Sequence, residues 1–221
     1  MKKRLQDMLV MQAKLNDITN GPDWRDGVTK ANRVINWYRC IRQEGGEFID
    51  SFPWKHWKSI DVKADLPNAR TELTDVWHFY LAAFLVRYQT LSISEIADKL
   101  DETFRTINTT KYDYDPVIAM EELIENTFVS NEDIRLRLIL DAFVTLLVNV
   151  DMNMDDLYKK YISKNVLNIF RQENGYTEGT YVKIWNGLED NVVLDSLMSI
   201  NPTIDADGLK ELLTVEYVKA K

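Results

Sequence analysis

Apolar residues recur at helical spacing along most of the chain, and no segment of useful length alternates with the two-residue period of a half-buried strand. Leu5 to Asp17 carries Met8, Met11 and Leu15 on one face. Val28 to Ser51 reads as one long helix with Ala31, Val34, Ile35, Tyr38, Ile41, Phe48 and Ile49 near one face. An aromatic connector, Phe52 to Lys58, leads to a helix opened by Pro67 and running to about Gln89, apolar almost all round from Val76 onward and hence central. Ser92 to Leu100, Pro116 to Phe128, Asn131 to Asp151, Asp155 to Gln172, Asp190 to Ile200 and Asp207 to Val218 complete the helices. Gly175 to Gly187 is a loop rich in aromatic and polar residues, and its best strand candidate, Gly179 to Trp185, is short and isolated. The expected class is all-α: one domain over residues 1–221, with a mobile helical lobe expected within about 92–135.

Composition supports long helices. Eight glycines and five prolines in 221 residues are too few for the many turns of a sandwich or barrel. A net charge of −8 makes the chain a poor ligand for nucleic acid or an anionic membrane. A single cysteine, Cys40, excludes an intrachain disulfide and any multi-cysteine metal site. The basic start Met1-Lys2-Lys3-Arg4 is followed by no uninterrupted apolar run, and Val76 to Val86 is too short to span a bilayer. The cytoplasm, of a cell or of a host, is the expected compartment.

Two acid pairs bear on chemistry. Glu44 and Glu47 are three residues apart on one predicted helix, as are Glu72 and Asp75 on the central one. Residues at that spacing lie on adjacent turns of one face, so each pair can aim two carboxylates at one point. Two such helices side by side would gather four hard oxygen donors, a set suited to Mg²⁺ or Mn²⁺. The alternative is a set of solvated helix charges. Between the first two acids, Gly45-Gly46 allows close approach of another backbone, a metal or a phosphate, or else marks a kink or tight packing.

Lys164, Asn168 and Arg171 fall at i, i+4 and i+7 on one face, with Lys183 in the following loop. Two cations with an amide between them suit a polyphosphate carrying a hydrogen-bonding head group; a solvated basic face is the plainer reading. Gln12 and Asn16 present amides one turn apart, each a donor and an acceptor, which match a pyrimidine edge. Trp54 and Trp57 offer stacking surfaces, or core and interface packing. Asp151-x-Asn153-x-Asp155 starts like a calcium loop but has Asp156 where glycine is required and Ile162 where glutamate is required.

Three long blocks, in order, resemble the dimeric, all-α dUTPases. They are Glu44 to Lys58, Glu72 to Phe79, and Lys164 to Gln172 continuing through Gly175-Tyr176 and Gly179 to Gly187 to Glu189-Asp190-Asn191. Gln12-x-Lys14-Leu15-Asn16 matches as well. The resemblance implies a helical bundle of the all-α (MazG-like) NTP pyrophosphatase type. It further implies Mg²⁺-dependent hydrolysis of dUTP, and of dUDP, to dUMP by a homodimer, with more than one ion and Mn²⁺ as a substitute. By motif position, Glu44, Glu47, Glu72 and Asp75 hold the metals. Glu44 or Glu47 handles the attacking water, Glu44 being favoured. Lys164, Arg171, Lys183 and Tyr176 hold the phosphates, while Gln12, Asn16, Trp54 and Asn168 form the nucleoside pocket. The competing expectations are a relative acting on dCTP or several pyrimidine nucleotides, and a helical dimer that has lost catalysis and serves as an interaction protein.

Overall fold

Six of the described helices begin where a side chain satisfies free backbone N–H groups, each such cap contributing roughly 1 kcal/mol. Asn36 accepts from the Arg39 amide and opens α2 (Trp37–Asp50). Asp65 accepts from Asn68 and opens α3 (Leu66–Arg87). Ser92 and Glu95 form a reciprocal capping box on α4 (Ile93–Arg105). Asp115 caps α5 (Pro116–Asn126) and Asn131 caps α6 (Glu132–Asn149). Asn153 and Asp156 form a second capping box on α7 (Met154–Glu173), so the calcium-like run is a helix start. With α1 (Lys2–Asn20), α8 (Asp190–Ile200) and α9 (Ala206–Ala220), these make nine α-helices among the residues that the computed structural model describes, 1–58, 62–107 and 115–220.

Helix α3 is central, as its all-round apolar pattern requires. Leu73, Val76, Trp77 and Leu81 are fully buried, and α1, α2, α6 and α7 pack around it. Trp77 stacks on Tyr80 and Phe143, with centroids 5.2 and 4.9 Å apart. Helix α7 continues beyond this core into a second one, where Val166, Leu167 and Phe170 meet Trp185, Leu194, Leu209, Leu213 and Tyr217. One uninterrupted helix thus ties the two cores together and carries its polar side chains across the seam between them.

Two boundaries differ from the periodic reading. Residues 28–36 are not helical: Gly27 and Asn32 have positive φ, Val28 pairs with Val34 in an isolated bridge, and the Thr29 hydroxyl accepts from the amides of Ala31 and Arg33. Side-chain bonds to the local backbone outcompete helix there. The loop after α7 holds a minimal hairpin, β1 (Ile184–Trp185) paired antiparallel with β2 (Leu188–Glu189).

Within the segment expected to form a lobe, residues 108–114 lie outside the described residues. Of the flanking helices, α4 packs on α1 through buried Ile96, Ala97 and Leu100, while α5 packs on α2 and α6. Among the described residues, no helix is long and apolar enough to cross a membrane.

Candidate active site

Helices α2 and α3 lie side by side, and Gly45 lets α5 approach α2 from the opposite side. A Cβ on Gly45 would stand 3.1 Å from Ile124 and from the Met120 sulfur, whereas one on Gly46 would meet nothing within 4 Å. The first glycine therefore serves helix packing, and the second has open space where a side chain would stand.

Glu44, Glu72 and Asp75 converge as the two pairs require: each offers a carboxylate oxygen within 4.8 Å of those of the other two. Glu47 lines the same cleft but stands outside this tight set, accepting a hydrogen bond from Gln43 at 3.1 Å. Burial, reinforced by Asp75, Glu47 and Glu72, pushes Glu44 up to about 8. Burial and Asp75 push Glu72 up to about 7, with Lys164 opposing. Acids crowded in this way favour a proton, or a cation, in their midst. Three hard carboxylates at one point, two of them with strongly raised proton affinity, fit a divalent cation in donor type and in charge.

The basic stripe of α7 turns toward the acids instead of solvent. Lys164, 3% exposed, donates to Asp75 Oδ2 at 2.8 Å and to Asn191 Oδ1 at 2.9 Å. Arg171 grips Asp190 through two bonds of 2.8 and 2.7 Å and donates to Asn168 at 3.1 Å. Asp190, fully buried, also accepts from the Tyr181 hydroxyl at 2.8 Å. Burial alone would favour a neutral acid at Asp190, but Arg171 and Tyr181 overcome it and hold the carboxyl below its usual range. Burial likewise opposes the Arg171 charge, which Asp190 holds firmly in place. Lys183 is half exposed and pairs with Glu189 at 3.3 Å.

These groups line a cleft of about 630 Å³ that includes Glu44, Glu47, Glu72, Asp75, Lys164, Arg171, Tyr176 and Lys183. A second cavity, of about 550 Å³, adjoins it and shares Glu44, Asp75, Arg171 and Tyr176 as a common wall. Its remaining lining includes Gln12, Asn16, Asn168, Trp37, His78 and Phe79. Ring stacking of Trp37 on Phe79, with centroids 6.2 Å apart, stiffens one side. His78 is buried, its Nδ1 is 2.8 Å from the Thr74 carbonyl, burial lowers its pKa to about 4, and its Nε2 has no hydrogen-bond partner among the described residues.

One cavity is thus dominated by acids and cations, and the other adds amides and aromatic rings beyond the common wall, a division that suits the two halves of a nucleotide. The family model described as dUTPase matches residues 4–176. The chain belongs to this all-α dUTPase family. Its activity is accordingly that of a dUTP diphosphatase. No curated protein matches the chain.

Of the residues expected in a dUTPase site, eleven line the two cavities, and Trp54 does not. It is 43% exposed, meets Trp57 edge-on with centroids 5.5 Å apart, and donates to Asp50. The sequence reading missed Trp37, His78 and Phe79 as cavity residues and Asp190 as the anchor of Arg171. Asp190 and Arg171 are 19 positions apart, with a loop and a hairpin between them, so no helical spacing relates them. The run Glu189-Asp190-Asn191 was the available signal.

Proposed function

We propose that the enzyme hydrolyses dUTP, and also dUDP, to dUMP in the cleft between α2, α3 and α7. The observation carrying this reading is the common wall of the two cavities, made of Glu44, Asp75, Arg171 and Tyr176. A nucleotide laid across that wall has its base among Gln12, Asn16 and Asn168 and its phosphates among Lys164, Arg171, Lys183 and Tyr176.

Glu44, Glu72 and Asp75, with Glu47 on the same cleft, would hold Mg²⁺, or Mn²⁺ in its place, with room for more than one ion. The cation supplies charge neutralisation between acids and phosphates and lowers the pKa of a bound water. The chain does the rest. Lys164 and Arg171 are pre-set by Asp75, Asn191 and Asp190, so they meet the charge developing on the leaving phosphates without reorganising. Glu44, at the focus of the acids and on the wall shared with the second cavity, is the group assigned to take the proton of the attacking water. The fixed amides reject a base whose donors and acceptors are reversed, because their own polar atoms would stay unpaired.

Trp54 can serve a nucleoside pocket from a second copy of the chain, which fits the homodimer implied by the resemblance. The cytoplasm is the compartment where such an enzyme meets its substrate. The test is pyrophosphate release from dUTP, dCTP, dTTP and UTP with and without Mg²⁺. Metal-dependent release from dUTP alone supports the reading. Equal release from dCTP would replace the uracil assignment with a broader pyrimidine one, and no release would refute it.

A further inference from the structure

The amide side of the site contains a proton-counting constraint. The Tyr161 hydroxyl, fully buried, lies 3.0 Å from the Met8 carbonyl oxygen and 3.0 Å from Oε1 of the Gln12 amide. The Gln12 amide in turn lies 3.0 Å from that of Asn16, Nε2 facing Oδ1. With this order, a single hydroxyl proton faces two acceptors and can serve only one. The other pair is then an oxygen–oxygen contact with no proton between. Asn16 Nδ2 is left as a buried donor without a partner among the described residues.

Turning both terminal amides through half a turn changes the count. The Tyr161 hydroxyl then donates to Met8, Gln12 Nε2 donates to Tyr161, and Asn16 Nδ2 donates to Gln12 Oε1. Three hydrogen bonds replace two, and the unpaired atom becomes the Asn16 carbonyl oxygen. A buried carbonyl lacking a partner is tolerated better than a buried N–H lacking one. The Asn165 amide, also buried beside the phenol, adds a dipole there but no second hydroxyl proton. Met8 is a backbone carbonyl and can only accept, so it fixes the direction of the whole relay.

We propose that Tyr161 is a positioning residue for base selection: held by Met8, it orders the Gln12 and Asn16 amides so that Asn16 offers a carbonyl oxygen to the base. That oxygen accepts from a ring N–H, which the imide edge of uracil has and the corresponding ring nitrogen of cytosine lacks. The inference rests on the nucleotide reading of the cavity given above and adds the residue that sets its polarity. Tyr161 reaches the base through two other side chains, and its ring face packs on His78, with centroids 4.2 Å apart.

The test is Tyr161→Phe, which keeps the ring and its stacking on His78 and removes only the hydroxyl. The ratio of kcat/KM for dUTP to that for dCTP should fall at least tenfold, mainly through KM, with kcat on dUTP within about threefold of wild type. A merely structural role would lower both substrates alike and leave the ratio unchanged, which would overturn the proposal. A second readout needs no variant and no turnover. In wild-type protein labelled at glutamine side-chain nitrogen, the Gln12 Nε2 protons should show a nuclear Overhauser effect to the Tyr161 ring protons. Its absence, with the signals assigned, would overturn the relay order even if Tyr161→Phe fails to fold. Should the wild type hydrolyse no pyrimidine nucleotide, the nucleotide reading fails and the base selection with it, while the Overhauser effect still reports on the relay by itself.

Discussion

Lys164 donates to Asp75 across 2.8 Å, joining the stripe of α7 to the acid cluster of α2 and α3. The pair sets the balance of charge in the cleft: a nearly buried cation moderates acids that otherwise repel one another, and it faces the place assigned to the substrate phosphates.

Removing that cation should damage both function and fold. Lys164→Met leaves Asp75 without its partner among like charges, a loss of about 3 kcal/mol for a buried pair broken on one side. It should also lower kcat/KM on dUTP by about 10²- to 10³-fold through lost stabilisation of developing charge. Urea unfolding and steady-state kinetics measure the two losses, and an unchanged kcat/KM would take Lys164 out of the phosphate site.

Neutralising an acid of the cluster should separate stability from activity. Glu72→Gln removes repulsion, so the metal-free variant should melt above wild type, by about 1–2 kcal/mol of stability. The same change should cost about 10²-fold or more in turnover. A variant less stable than wild type in chelator would show that Glu72 is held by contacts other than the repulsive ones described.

The pH dependence follows from the raised acids. Glu44 at about 8 and Glu72 at about 7 hold protons in the folded state that the unfolded chain releases near 4.5. Where the native state binds more protons than the unfolded state, stability falls as pH rises. His78, lowered to about 4, has the opposite slope, but only below its ordinary value near 6.5. Between pH 6.5 and 8.5 the metal-free protein should therefore lose stability with rising pH, and Mg²⁺ should flatten the slope. Urea midpoints across that window, in chelator and in Mg²⁺, check both expectations.

The two adjacent glycines should respond in opposite senses. Gly45→Leu forces a side chain into Ile124 and Met120, already 3.1 Å from where a Cβ would stand, and should cost about 1–3 kcal/mol. Gly46→Ala meets open space in mid-helix and should stabilise by up to about 1 kcal/mol. Paired thermal melts decide it.

Much of this was legible in the chain. The all-α class followed from helical spacing, the central place of α3 from its all-round apolar run, and the shared acid site from two i, i+3 pairs. The start of α2 was misread because Val28, Ala31, Val34 and Ile35 fit a helical period while Thr29 supplies the competing backbone bonds. Periodicity records which face is apolar; it does not record local hydrogen-bond competition. Glu47 was expected at the focus with the other three acids, but its position farther round α2 leaves it on the cleft wall. Asp190, His78 and Phe79 escaped notice because their roles depend on which helices become neighbours, and no spacing within one helix encodes that. Trp54 reads by type as a stacking or an interface residue; the connector places it on the surface, 43% exposed, away from the two cavities of its own chain.

The central claim is that one nucleotide spans the two adjoining cavities. A crystal structure with Mg²⁺ and the non-hydrolysable α,β-imido analogue of dUTP tests it most directly. The account predicts the uracil beside Gln12, Asn16 and Asn168, the phosphates against Lys164, Arg171 and Lys183, and metal on Glu44, Glu72 and Asp75. A base bound outside the cavity lined by Gln12 and Asn16, or phosphates away from Lys164 and Arg171, would contradict it.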